Sequence, residues 1–324
     1  PCPFTSIARE CSANDGEVYY MTINRPLELF GVCTDFGCNT KSTPWSDLIA
    51  ETPAAPYKSA VCPYKKAVSG LYAHTGSGVN CDKIRKAKPN PLIGNCIMRK
   101  TKKSGKIEDW IVCPSRFLQD NLIFEDCKKF LTAGSEYRVV RELNISKEGN
   151  LDFGVCSVDA SGAVIDFVGI EVQACGTGGS GPIWDARNDF LQNALKTNYS
   201  FSMNEKDASK KILVQLLHKS RQIARWRKNT VLAIQDVFLE HLRSSYNVDA
   251  HFHKQDPQDF IHIHSYKITQ NGGNLKMSLD EALSTDMVGL SMALISNPNV
   301  SYSGVDTVTK AMDRRFEEDK FTKL

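Results

Sequence analysis

The chain has 324 residues, 24% of them charged, and a formal net charge of +3. This length leaves room for two domains of ordinary size with a sizeable core. The sequence has no run of about 18 consecutive apolar residues, and its start, PCPFTSIARE, lacks the basic and apolar segments of a signal peptide. These features exclude a predicted transmembrane helix and predict a soluble, cytoplasmic protein.

All eleven cysteines lie at or before Cys175. In a chain without a secretory signal, an odd number of cysteines argues against a disulfide framework, because cytosolic thiols stay reduced. Two segments, PCPFTSIAREC leading to LFGVC and VCPYKKAVSG leading to LIGNC, resemble each other and predict two related metal-binding clusters. The first cluster would contain Cys2, Cys11, Cys33 and Cys38, and the second Cys62, Cys81, Cys96 and Cys113.

Four thiolates held tetrahedrally suit structural Zn²⁺ or a single iron ion, and the sequence does not distinguish these metals. The alternative is that the thiols are small buried hydrophobic groups, which best fits Cys127, Cys156 and Cys175 because they lie in apolar stretches. We predict a cysteine-rich metal-binding module over residues 1–115, stabilised by its metal, and a second domain over residues 116–324.

Basic residues cluster between residues 83 and 106, where the sequence has nine Lys or Arg and no acid. Clustered cations gain free energy from counterion release when they bind a phosphate backbone, so this stretch predicts DNA contacts. The alternative is a solvated turn. The candidate DNA-binding residues here are Lys83, Arg85, Lys86, Lys102 and Lys103.

Apolar periodicity continues before residue 150. Residues 114–132 place Phe117, Leu118 and Leu122 on one broad apolar stripe, which predicts a helix. Residues 136–146, EYRVVRELNIS, fit a helix or a strand, and both alternatives stay open.

A β-hairpin is predicted between residues 150 and 175. The runs 151–158 and 164–174 are rich in Val, Ile and Phe, and the residues between them are typical of a turn. If Ser161 and Gly162 form a two-residue loop, counting outward from it gives the register of the two strands.

That register places Asp152 directly opposite Glu171, with Gln173 on the same face and Asp166 on the other. Opposed side chains have Cβ atoms roughly 5 Å apart, which is unfavourable for two carboxylates unless a cation lies between them. A divalent metal would supply that cation. The alternative is a pair of ordinary acidic residues on a solvated face.

An acid on one strand, followed by acid-x-amide on the next, resembles the PD-(D/E)XK nuclease core in its variant form with Gln in the last position. The strings GNLDFGV and GIEVQAC, preceded by CPSRFL and IFEDC, are similar to type II restriction endonucleases of the NotI family. The resemblance implies that Asp152 and Glu171 hold Mg²⁺, with the backbone carbonyl of Val172 as a further ligand. It also implies that Gln173 orients the attacking water.

An upstream acid completes sites of this kind, and Glu142 is preferred to Glu136 for that role. The family resemblance further implies an iron ion held by four cysteines in the N-terminal region.

Two segments after the hairpin bear on DNA binding. The glycine-rich stretch CGTGGSGPIWDARNDFL lacks the Lys-Ser or Lys-Thr of a phosphate-binding loop, and we predict a flexible loop that closes on DNA. Residues 208–243 have helical periodicity with a cationic first half, although their later part also fits a buried strand and helix. Candidate DNA contacts there are Arg221, Arg225 and Arg227.

The C-terminal part contains two histidine pairs, His251 with His253 and His262 with His264, which could bind a metal. We favour polar positions on a strand, because no carboxylate pattern surrounds them. Residues 278–294 begin with a capping box and predict a surface or dimer helix.

The predicted fold class is α/β (α+β): a PD-(D/E)XK core with a mixed central sheet flanked by helices, preceded by the cysteine-rich module. The predicted function is a Mg²⁺-dependent type II restriction endonuclease, a homodimer that cleaves double-stranded DNA at a palindromic site. One alternative is a DNA-binding protein with an inactive nuclease fold. Another is a cysteine-based redox or iron-sulfur enzyme, which the absence of a CxxC motif disfavours.

Overall fold

A computed structural model describes residues 11–12, 18–19, 22–36, 49–52, 55–75, 78–84, 92–146, 149–192, 194–271, 274–295 and 305–318. The elements of the N-terminal part are β1 (Cys11–Ser12), β2 (Val18–Tyr19), β3 (Asn24–Leu29), β4 (Val32–Cys33), β5 (Ile49–Thr52), β6 (Ala55–Ala60), α1 (Pro63–Ala67), β7 (Asn95–Thr101) and β8 (Ile107–Ile111). Short 3-10 segments lie at Thr34–Phe36, Ser69–Tyr72, Pro114–Asn121 and Lys128–Phe130.

The remaining elements are α2 (Leu122–Glu125), β9 (Glu136–Ser146), β10 (Gly149–Val158), β11 (Val164–Val172), β12 (Thr177–Gly178), α3 (Ser180–Leu191), β13 (Ser202–Met203), α4 (Glu205–Arg225), β14 (Thr230–Gln235), α5 (Asp236–Ser245), α6 (Val248–His251), β15 (His253–Lys254), β16 (Ile261–Asn271), β17 (Asn274–Thr285), α7 (Met287–Ile295) and α8 (Val305–Glu317). Within the described residues, no helix has the length and apolar character needed to cross a membrane.

Seven of the described strands form a central mixed sheet in the order β15-β17-β16-β14-β11-β10-β9. Strands β9, β10 and β11 are antiparallel neighbours, whereas β11, β14 and β16 are parallel. Parallel neighbours need crossover connections, and the helices α3 to α6 lie in these connections. The predicted mixed central sheet with flanking helices is therefore confirmed.

At the centre of this sheet, alternate residues of a strand pack into different hydrophobic cores, so both faces are covered there. On β14, Val231 and Ala233 belong to one hydrophobic core and Leu232 and Ile234 to the other. The second core contains the apolar stripes of α4 and α5. Because both faces of β14 are covered, all six of its residues are buried.

The N-terminal part covers the first face of the sheet with a four-stranded antiparallel sheet, β4-β3-β7-β8, among the described strands. Leu27 and Ile97 of that smaller sheet share a core with Ile170 of the central one. A buried ion pair of 2.8 Å joins Arg116 to Glu28 on β3, and Arg116 also donates to a main-chain carbonyl of β17. These contacts join residues before position 115 to residues after it. The division into two domains at that position stays a prediction.

The helix predicted over residues 114–132 is wrong. A 3-10 segment runs from Pro114 to Asn121 and is followed by the four-residue helix α2. Asp120 and Asn121 have φ angles of 54° and 58°, a left-handed conformation that interrupts a right-handed helix. The open alternative over residues 136–146 is resolved as strand β9.

Three later segments also differ from their first interpretation. The glycine-rich stretch is not a long loop, because it contains the short strand β12 and, from Ser180 onwards, helix α3. Helix α4 ends at Arg225, and the alternative of a strand and a second helix is confirmed by β14 and α5. Residues 278–285 belong to strand β17, because pairing with β16 along its length outweighs the local capping signal, and α7 begins at Met287.

Candidate active site

The hairpin of β10 and β11 has the predicted register beside the acids. Phe153 pairs with Ile170, and the same register places Asp152 opposite Glu171. The turn itself differs, because the main-chain N–H of Asp159 donates to the carbonyl of Ala163 at 2.9 Å, and these two residues enclose a three-residue loop. A bulge beside the loop shifts the pairing by one residue and restores the predicted register at the acids.

The two strands separate where the acids lie, and a side chain closes the gap. The main-chain N–H of Val172 donates to Oδ2 of Asp152 at 2.8 Å, so a carboxylate takes the place of a backbone carbonyl in the ladder. The side chain of Asp152 is exposed to solvent, whereas Glu171 is buried. The pair therefore has one carboxylate open to solvent and one enclosed by protein.

Glu171 is held by a lysine from the neighbouring helix. Nζ of Lys219 on α4 donates to Oε1 of Glu171 at 2.6 Å. Burial raises the pKa of Glu171 to about 7, an effect that the Lys219 bond opposes and the nearby charge of Asp152 reinforces. The carboxyl group is therefore easily protonated near neutral pH, as expected for a buried acid beside a second one.

Three charged groups, Lys219, Arg141 and Glu142, act on Asp152. The surrounding protein removes part of the water from its carboxyl group and so raises its pKa, although the residue as a whole remains exposed, while the Val172 N–H and the cations Lys219 and Arg141 lower it. Glu142 raises the pKa of Asp152 further, and the register of β9 and β10 places it opposite Asp152. The flanking register of β9 and β10 agrees with this placement, since Arg141 pairs with Phe153 and Leu143 with Leu151.

Glu142 has a backbone distortion and a cation partner. Its φ angle is 54°, in the left-handed region that residues other than glycine rarely adopt. Arg141 pairs with the Glu142 carboxylate at 2.7 Å, and its guanidinium lies 4.6 Å from the centre of the Tyr72 ring. The rejected alternative, Glu136, pairs with Arg138 and lies opposite Val158, at the far end of β10.

The remaining acids and amides of the hairpin follow the predicted alternation in part. Asp166 lies on the opposite face from Glu171, where it accepts hydrogen bonds from Thr132 and Lys228. Gln173 lies beyond the end of β11, and its side-chain amide donates to the carbonyl of Ala174. The structure thus brings Asp152, Glu171 and Glu142 together, while Gln173 is turned towards its own backbone.

The donor chemistry of this group fits a hard divalent cation, because carboxylate oxygens are the ligands that Mg²⁺ prefers. The bonds to Val172 and Lys219 use one oxygen of Asp152 and one of Glu171. Each carboxylate has a second oxygen that these two bonds do not use. Across the described part of the chain, however, no three His, Cys, Asp or Glu side chains have the spacing of a metal site.

The cysteines of the second predicted cluster are neighbours in space. An ionised Cys113 would raise the pKa of Cys62, Cys81 and Cys96, so the four thiols lie in one region of the molecule, although within the described residues no three of them have the spacing of a metal site. Burial is the largest effect and raises the pKa of Cys62 and Cys81 to about 12. Sulfur donors in one buried group fit the chemistry of Zn²⁺ or iron, which would itself displace the protons.

The first predicted cluster falls mostly outside the part of the chain that the structure describes. Cys2 and Cys38 lie outside the described residues, and of Cys11 only the main chain is described. Cys33 is buried in the same core as Cys62 and Cys96. The cysteines interpreted as buried hydrophobic groups, Cys127, Cys156 and Cys175, are indeed buried.

The candidate DNA-binding residues lie in several places. Lys102 and Lys103 are exposed in the turn between β7 and β8, and Lys102 pairs with Glu108 at 2.6 Å. Lys83 donates to the main-chain carbonyl of Val112, which directs its ammonium into the protein. Arg85 and Lys86 lie outside the described residues.

The three arginines near the end of helix α4 are exposed: Arg221, Arg225 and Arg227. Arg227 follows the helix with a φ angle of 54°. Their exposure leaves them accessible to a phosphate backbone.

Lys219 lies in the cationic first half of the segment 208–243, for which the sequence indicated no specific partner. Its position carries a recognisable signal, since it follows the buried Leu216 by three residues and precedes the buried Ile223 by four. A lysine at helical spacing within an apolar stripe points to a buried partner. That partner is Glu171.

A family model described as restriction endonuclease NotI matches residues 58–277 of the chain. The matched range includes the four clustered cysteines, the acids of the hairpin and the whole of helix α4. No curated protein matches the chain. Because the family match covers more than half of the sequence, the chain belongs to the NotI restriction endonuclease family, whose activity is the cleavage of DNA at a specific site.

Proposed function

We propose that the protein is a Mg²⁺-dependent type II restriction endonuclease whose core is of the PD-(D/E)XK type. The observation that carries the proposal is the pairing of Asp152 with Glu171 across the separated ends of β10 and β11. These carboxylates, with the backbone carbonyl of Val172, are the proposed metal ligands. When bound, Mg²⁺ would lower the pKa of a water molecule and stabilise the negative charge that develops on the phosphate.

The protein's own groups have distinct roles in this proposal. Asp152, which is open to solvent, faces the entering phosphate, and the Val172 N–H fixes its orientation. Gln173 would rotate away from the Ala174 carbonyl to orient the attacking water, since an amide can both donate and accept a hydrogen bond. Glu142 completes the acidic group from β9.

DNA would be bound by cations outside the acidic site. The exposed Arg221, Arg225 and Arg227 of the α4 end, and Lys102 and Lys103 of the β7–β8 turn, are the proposed phosphate contacts. A palindromic duplex presents two strands related by a two-fold axis, so we propose a homodimer in which each subunit cuts one strand.

The four clustered thiols of Cys62, Cys81, Cys96 and Cys113 are proposed to hold a structural Zn²⁺ or iron ion. Cys62 and Cys96 lie in the core shared by the N-terminal part and the central sheet, and Cys81 packs against it, so a metal held by these thiols would stabilise the contact between the two parts. The two metals differ in visible absorption, which separates them in the purified protein.

The decisive experiment is digestion of plasmid DNA by the purified protein with Mg²⁺ and with a chelator. We expect discrete fragments with Mg²⁺ alone, and none with an Asp152→Asn variant, which keeps an oxygen for the Val172 N–H but loses the charge. A protein that binds DNA without cutting it under any of these conditions would be the inactive nuclease fold instead. Cleavage that persists in chelator would contradict the metal-dependent mechanism.

A further inference from the structure

The acidic site contains a buried cation that the family motif does not account for. Lys219 lies on the face of α4 that packs on the sheet, between the buried Leu216 and Ile223, and its side chain is 12% exposed. Its Nζ donates to Glu171 at 2.6 Å, and its charge also lowers the pKa of Asp152. Since the strand register places Asp152 opposite Glu171, the ammonium group contacts one proposed metal ligand and lies near the other.

Burying the charge of this lysine costs free energy of desolvation, which suggests that the charge is kept for function. A buried charge pair recovers its desolvation penalty only with good geometry, and replacing such a pair by apolar residues is often neutral or stabilising. The remainder of the inward face of α4 is apolar or small, formed by Ala208, Ser209, Ile212, Leu213, Leu216, Ser220 and Ile223. An apolar residue at position 219 would continue this stripe.

The strand that carries Glu171 lacks a cation of its own. At the acid-x-amide position, Gln173 is uncharged and directs its amide to the Ala174 carbonyl. Arg141, the other cation beside Asp152, is paired with Glu142 and stacked on the Tyr72 ring. Lys219 is therefore the cation best placed to act at the two carboxylates within the described residues.

We propose that Lys219 is a catalytic residue, which supplies from helix α4 the positive charge that Gln173 cannot supply from strand β11. The proposal rests on the proposed function, because it assigns a further group to the same site. An ammonium has three N–H donors, so Nζ can keep Glu171 and also contact a non-bridging oxygen of the phosphate.

The role follows from the charge balance of phosphodiester hydrolysis. A water oxygen forms a bond to phosphorus and a P–O ester bond breaks. The water releases one proton to solvent, and the leaving oxygen takes one up. Negative charge on the phosphate oxygens grows before the ester bond is broken, and a fixed ammonium beside them stabilises that charge without reorganisation.

The test compares Lys219→Met with Lys219→Arg and with a matched control, Lys211→Met, which removes an exposed lysine from the same helix. Single-turnover cleavage is measured on a duplex that spans a cut site mapped with the wild-type protein. We expect Lys219→Met to cut at least about 100-fold more slowly at saturating DNA, the scale found when one stabilising donor is removed. Lys219→Arg should keep part of the rate and Lys211→Met all of it.

Two measurements without cleavage separate catalysis from a structural role. DNA affinity in chelator, followed by fluorescence anisotropy, should stay within about threefold of the wild-type value, since bulk phosphate contacts are elsewhere. Mg²⁺ titrated calorimetrically into the DNA-free protein should bind Lys219→Met at least as tightly as wild type, because a like charge is removed from beside the metal ligands. Weaker Mg²⁺ binding would mean that Lys219 only holds Glu171 in place, and would overturn the proposal.

A charge swap keeps the proposal testable if Lys219→Met does not fold. The double variant Gln173→Lys with Lys219→Gln returns one ammonium to the site from the strand, and it should cut faster than Lys219→Gln alone. If Lys219→Met cuts at the wild-type rate while Asp152→Asn is inactive, Lys219 has no catalytic role and the proposed function stands. If wild type itself does not cut with Mg²⁺, the proposed function fails first.

Discussion

Lys219 and Glu171 are joined by a 2.6 Å bond between helix α4 and strand β11, although 48 residues separate them in the chain. This pair joins helix α4 to the end of the central sheet formed by β11, β10 and β9, which carry the acids. It also restricts the orientation of Glu171, because Oε1 of the carboxylate is bound.

Glu171→Gln should abolish cleavage and leave DNA affinity unchanged, because it removes a charged metal ligand but keeps a side chain that accepts the Lys219 bond. The expected loss in single-turnover rate is at least about 1,000-fold, since a metal ligand acts on both water activation and phosphate charge. Circular dichroism confirms the fold of the variant. Cleavage at the wild-type rate would show that the metal site lies elsewhere.

The upstream acid can be identified by comparing two substitutions on one strand. Glu142→Gln should slow cleavage by about tenfold or more, because Glu142 is the acid whose charge reaches Asp152. Glu136→Gln is the matched control, since Glu136 is exposed and paired with Arg138 at the other end of β9. Equal rates for both variants would remove Glu142 from the site.

How much of this site was predictable depends on the range of the interactions involved. The position of Asp152 opposite Glu171 follows from the alternation of side chains along two strands and from the residues counted outward from the turn, all within one hairpin. This position is as predicted, although the loop has three residues instead of two. The contact of Lys219 with Glu171 depends on how α4 docks on the sheet, which a local pattern does not encode. The same holds for the parallel pairing of β14 with β11, where the interpretation as one long helix was wrong.

The proposed site at the four cysteines implies that the purified protein contains a bound metal. Elemental analysis of the purified protein should find zinc or iron, and Cys96→Ser should lose it together with much of the thermal stability, since a structural metal contributes its binding energy to folding. Cys127→Ser is the control, because Cys127 is equally buried in the same core but was not assigned to the cluster. A metal-free wild-type protein would contradict the proposal.

Because two histidines are buried, we expect the free energy of unfolding to fall in acid. Burial lowers the pKa of His262 to about 4 and that of His264 to about 3. Both values lie below the 6.5 of an unfolded histidine, so the unfolded state binds protons first and the free energy of unfolding falls as the pH drops from about 6.5 towards 4. The loss should be on the order of 3 kcal/mol for each residue over this range.

Urea unfolding at a series of pH values measures this dependence. His264→Gln should make it shallower, because it removes the buried imidazole that must take up a proton. An unchanged slope in His264→Gln would show that other groups titrate in this range.

The last prediction concerns the homodimer and its interface. Three apolar residues of helix α7 are exposed: Val288, Met292 and Ile295. Val288 and Met292 also line a groove together with Leu217 and Arg221 of α4. Exposed apolar residues on one helix beside a groove fit an interface between two copies, in which α7 of one subunit meets the same surface of the other. We expect sedimentation velocity at micromolar concentration to show a dimer on duplex DNA. The same measurement without DNA tests whether the free protein is already a dimer.

A charged substitution tests the location of this interface. Val288→Asp should weaken the dimer and convert double-strand cleavage into nicking, because a single subunit cuts one strand. Val164→Asp is the matched control, since Val164 is comparably exposed, 60% against 67%, but lies at the tip of the hairpin. A Val288→Asp protein that still dimerises like the control would place the interface on another surface. A wild-type protein that stays monomeric on DNA and still cuts both strands in one binding event would rule out the dimer itself.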